Sequence, residues 1–61
     1  MRIDRAGMIA ELEDYWYDLQ RQNPDEEIGD IPAAVMYYRE ISDQELVWEY
    51  EEKIGPVQQI G

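Results

Sequence analysis

Any chemistry in this chain has to come from carboxylates. Fifteen Asp and Glu stand among its 61 residues, against five Lys and Arg, with no His and no Cys. Thr is absent, and the single Ser, Ser42, stands where a helix cap is expected. Without an imidazole or a thiolate, nucleophilic catalysis of the serine or cysteine kind is close to excluded. Paired carboxylates can act as general acid and base at a glycosidic bond, but that reaction needs a concave site around its substrate. Short helices rarely enclose one, so the inventory argues against an enzyme. Metal chemistry fares no better. The acids Asp25, Glu26, Glu27 and Asp30 surround Gly29, yet with Gly29 as the sixth residue of a calcium loop, Pro24 is first and Val35 twelfth. The pattern requires carboxylates there and fails. No metal and no cofactor are expected.

The remaining lead is the spacing of the acids. Glu11, Asp14 and Asp18 form one set, and Glu45, Glu49 and Glu52 another, each separated by three and four residues. On a helix this puts successive carboxylates roughly 4.5–6 Å apart along the axis, similar to the phosphates of a nucleic-acid strand. Two such helices side by side would offer a surface that a nucleic-acid-binding protein accepts. An aromatic stands at the margin of each set, Tyr17 and Trp48, of the residue types richest in interface energy. A charged helix face is ordinarily just a solvated face. Here, though, only Asp18–Arg21 and Glu49–Lys53 use the small gain of mixed-sign pairs, and Glu51 and Glu52 sit at the negative end of a helix dipole. Adaptation to high salt gives the same composition, and a covering segment such as the 56–61 tail would remove Trp48 from the surface.

The elements that position these acids can be read from punctuation and period. Ser42 with Glu45 three residues on reads as a capping box, and Gly55-Pro56 as a stop, predicting a helix over 42–54. On it Leu46, Val47, Tyr50 and Ile54 share a face, with the acids Glu45, Glu49 and Glu52 opposite. Asp4 reads as an N-cap and Asn23-Pro24 as a terminator, predicting a helix over 4–22 with Met8, Leu12, Trp16 and Leu19 as its stripe. Residues 23–31 read as a loop. Pro32 opens a short helix over 32–40, apolar nearly all round, with a strand at 34–39 as the alternative. The tail is expected to be extended, laying Val57 or Ile60 on the core. The fold class is all-α, a helical hairpin or three-helix mini-bundle in one domain over 1–61. Its expected core is Leu12, Trp16, Leu19, Leu46, Tyr50 and Ile54.

A net charge of −10 disfavours direct contact with nucleic acid or an anionic membrane and favours encounter with basic surfaces. The start of the chain carries Asp4 and lacks a sustained apolar run, so neither a secretion signal nor a membrane span is expected, and the cytoplasm is the default compartment. In size, charge and architecture, though in no motif, the chain resembles the small acidic inhibitors and DNA mimics that bacteriophages and mobile elements encode. That resemblance implies a host-cytoplasmic inhibitor. The expected function is docking on a basic partner, a nucleic-acid-binding protein, through Glu45, Trp48, Glu49 and Glu52, joined by Glu11, Asp14, Asp18 and Tyr17. The alternative is an assembly module that forms a homodimer or larger homo-oligomer through the apolar segment 31–38, with the acids serving solubility. A segment of a larger complex is a third reading.

Overall fold

The computed structural model of the chain describes residues 3–56. Helix α1 spans Arg5–Gln22, α2 spans Ile31–Glu40 and α3 spans Asp43–Lys53. Each starts on a side-chain oxygen that accepts a backbone N–H left without an intrahelical partner. Asp4 accepts from Gly7 at 3.0 Å, Asp30 from Ala33 at 3.2 Å, and Ser42 from Glu45 at 3.3 Å. Among the hydrogen bonds of the described residues only the Ser42 half of the capping box is present, and Glu45 stays exposed. Residues 34–39 are helical, which removes the strand alternative.

The stops are equally local. Asn23 closes α1 by donating its backbone N–H to Leu19 and Gln20 and its side-chain amide to Leu19 O at 3.0 Å. Gln20 then donates to the carbonyls of Asn23 and Glu26, tying the acidic loop to the helix end. At the end of α3 the N–H groups of Ile54 and Gly55 both reach Tyr50 O, and Gly55 takes φ +143°, which a side chain would strain.

Helix α2 runs antiparallel to α1, and α3 then returns along α1 in the same sense. Three contacts fix that direction: Arg5 with Asp43, Glu11 with Tyr50, and Trp16 with Lys53. The hairpin partner of α1 is therefore α2, and the two long acidic helices lie parallel, not antiparallel. The turn between α2 and α3 is held by Arg5. Its guanidinium donates to Asp43 Oδ1 at 2.6 Å and to the carbonyls of Tyr38, Arg39 and Ile41 at 3.2, 3.3 and 2.9 Å. A cation over the last carbonyls of a helix is favourable for both hydrogen bonding and dipole reasons.

Met8, Leu12, Tyr38, Leu46 and Tyr50 form the core, with Leu12 and Leu46 wholly excluded from solvent. Ile3, Ile9, Trp16, Ala34, Ile41 and Val47 pack against it, and Ile31 and Val35 are buried beside it. Three expected core residues move outward. Trp16 is half-buried at the rim, where its indole N–H donates to Tyr38 Oη at 3.0 Å. Leu19 is half-buried because α3, which begins beside Arg5, ends beside Trp16, so the last turn of α1 extends past it. Ile54 is 40% exposed, since it follows the last helical residue and caps α3. Val57 and Ile60 lie outside the described residues. Among those described, no helix is long and apolar enough to cross a membrane.

Candidate protein-interaction surface

Each acid set loses one member to the helix interface. On α1, Glu11 Oε2 accepts the hydroxyl proton of Tyr50 at 2.6 Å. The carboxylate holds that proton, and with burial of the ring it raises the Tyr50 pKa above its ordinary 10.0. Glu11 is thus a cross-helix anchor rather than a free acid. Asp14 is exposed, Asp18 is exposed and paired with Arg21 one turn on, and Tyr17 is 45% exposed on the same back of the helix. That exposed ion pair contributes little to stability.

On α3 the member withdrawn is Glu49. Its side chain is only 16% exposed and accepts from Lys53 Nζ at 2.6 Å, while that ammonium lies 5.9 Å from the centre of the Trp16 ring. The hydrogen bond to Glu49 raises the Lys53 pKa against the opposing effect of burial. Glu49 was expected on the outer face. At 100° per residue it stands only about 60° from Leu46 around the axis, and Lys53 about 20°, so both belong to the inward half. The i,i+4 pair covers the end of the core between α1 and α3 and is a structural element.

What α3 presents outward is different from the expected stripe. Trp48 is 65% exposed, about 160° around the helix from Leu46. Gln44, Glu45, Val47 and Glu51 line the shallow depression beside it, and Glu52 follows one turn on, also exposed. The indole therefore stands among three exposed carboxylates, Glu45, Glu51 and Glu52, with Glu51 in the place expected for Glu49. An aromatic face of this kind attracts cations, and carboxylates within reach of it can accept the same cation's hydrogen bonds. Arginine combines a stacking plane with a fork of donors, so this surface is chemically complementary to arginine-bearing surfaces.

The segment 31–38 is divided. Ile31, Val35 and Tyr38 are buried within the chain, and Pro32, Ala33, Met36 and Tyr37 are exposed, Met36 by 61%. Among the described residues no three carboxylates converge in a metal-binding arrangement. Arg5 escaped the sequence reading entirely. Its partners lie 33 to 38 residues away, and nothing in local spacing distinguishes it from a surface Arg. Compared with protein-family models, with curated proteins and with solved structures, the chain matches none.

Proposed function

We propose that this chain is a protein-binding module whose outer α3 face, Glu45, Trp48, Glu51 and Glu52, docks on a basic surface of a partner. The partner is a nucleic-acid-binding protein, and the docked module inhibits or modulates it by occupying the surface that nucleic acid uses. This is the mode of action of small acidic DNA mimics of the phage-encoded kind, and it places the module in the compartment of its target. The observation that carries the reading is Trp48, an indole two-thirds exposed and flanked by exposed Glu45, Glu51 and Glu52 on the side of α3 away from Leu46.

Two effects divide the work. The charge of −10 accelerates encounter with a positive surface, and the indole, once desolvated against the partner, slows departure. The backs of α1, with Asp14, Tyr17 and Asp18, extend the negative field without being part of the central contact.

The test is capture from a nuclease-treated lysate on immobilised chain, with parallel columns carrying Trp48→Ala and the triple Gln variant at 45, 51 and 52. The reading requires a basic protein that is retained by the wild type, lost from both variants and displaced by added duplex DNA or RNA. Retention by the triple Gln column, or indifference to added nucleic acid, contradicts it.

A further inference from the structure

Helix α3 covers one flank of the α1–α2 hairpin, where Ala34 and Tyr38 face the core. Among the described residues nothing covers the other flank. There α1 contributes Arg5, Ala6, Ile9, Ala10 and Glu13, and α2 contributes Val35 and Arg39, to a groove between the two helices. Its floor is apolar, with Val35 buried and Ile9 half-buried, and the two alanines keep the α1 side low. The exposed side chain of Met36 continues the same flank of α2, about 60° around the axis from Arg39.

Two charges of opposite sign stand at this groove. Arg5, Arg21 and Lys53 each hold an acid, but Arg39 makes no ion pair among the described residues, and neither does Glu13. In a chain with fifteen acids and five bases, an uncommitted Arg beside an apolar groove is a directed feature. A two-fold interface presents the same patch from both sides and must be complementary to itself. With Arg5 held by Asp43, the groove keeps one uncommitted cation and one anion over an apolar floor, and such a patch satisfies that condition. An acidic partner would meet Glu13 unfavourably, and a basic one would meet Arg39.

We propose that this groove is the interface between two copies of the chain, related by a two-fold axis. Arg39 of each copy pairs with Glu13 of the other, above a shared contact of Ile9 and Met36. The Trp48 surface lies on α3, outside this groove, so self-association and docking on a basic partner are separate properties. The repulsion between two chains of −10 is suppressed at moderate salt, where the screening length is about 8 Å.

The experiment is sedimentation equilibrium at moderate salt on the wild type, Arg39→Glu, Glu13→Arg, the Glu13→Arg/Arg39→Glu double variant and Met36→Glu, with circular dichroism to establish that each is folded. A monomer–dimer equilibrium below about 1 mM is expected for the wild type, and each single charge reversal should weaken it by about tenfold or more. The double variant, which restores opposite charges across the axis, should return to within about threefold of the wild type. Met36→Glu disrupts the apolar contact and should weaken association as much. A wild type that stays monomeric throughout overturns the proposal. So do single reversals that leave the equilibrium unchanged, or a double variant no better than either single.

Discussion

Replacing Tyr50 with Phe isolates the polar tie between α1 and α3. The ring is buried in the core and stays so in the variant, but the hydroxyl that donates to Glu11 at 2.6 Å is lost. A hydrogen bond to a charged acceptor contributes roughly 1.5–3 kcal/mol net. Glu11 is exposed and recovers water when its partner is removed, which brings the expected loss down to about 1 kcal/mol. For a domain of this size that lowers the midpoint of thermal unfolding by about 4–8 °C. A cycle with Glu11→Gln should return most of the loss as coupling between the two residues. The bond also carries a pH signature. The Tyr50 pKa is raised in the fold, so its contribution is complete below the unfolded-state value of 10.0 and is lost as pH rises through the folded-state value. Unfolding followed by circular dichroism at neutral pH and again above pH 10 measures both effects. The wild-type advantage over Tyr50→Phe should shrink on the alkaline side. A variant as stable as the wild type, or an advantage that does not change with alkaline pH, refutes the account of this contact.

Leu12→Ala and Leu46→Ala each remove a fully buried side chain and should cost about 2–5 kcal/mol, close to the whole stability of a small domain; wild-type-like melting of both would put the core elsewhere. Arg5→Lys should destabilise nearly as much as Arg5→Ala in urea unfolding, because a single ammonium cannot reach Asp43 and the α2 carbonyls together. Asp43→Asn should be milder, since that partner is exposed and the pair adds only about 0–1 kcal/mol. Added sodium chloride at neutral pH should raise the midpoint of thermal unfolding by screening the mutual repulsion of a −10 chain, and a fall would refute that repulsion as the dominant surface effect.

What could be read from the sequence was whatever is decided within a few residues. Asp4, Asn23-Pro24, Ser42 and Gly55 act on backbone groups one turn away, and α1 and α3 begin and end there, while Pro32 stands in the first turn of α2. The inward positions of Met8, Leu12, Leu46 and Tyr50 follow from period alone. Neighbours across the bundle do not. Glu11 looks like a member of an outward acid stripe until the parallel return of α3 brings Tyr50 to it. For Glu49 the pair with Lys53 and the angle to Leu46 are local, and only the packing of that pair over Trp16 depends on the bundle. Ile54 shares an angle with the core but lies past the last turn that packs. Arg5 acquires its role only because the end of α2 and the start of α3 meet the start of α1. The outward angle of Trp48, by contrast, was legible from period, while its exposure depended on whether another segment covers it.

The outer face of α3 is proposed as a docking surface whose acids and indole act on different rate constants. Surface plasmon resonance against the captured basic partner, at low and moderate salt, tests it directly with the wild type, Trp48→Ala and the triple Gln variant at 45, 51 and 52. The triple variant should associate more slowly with a flatter salt dependence, and Trp48→Ala should dissociate faster, at a cost of about 2 kcal/mol or more in affinity. Affinity and salt slope equal to the wild type in the triple variant, with an unchanged dissociation rate for Trp48→Ala, would contradict the claim and leave this face a solvated one.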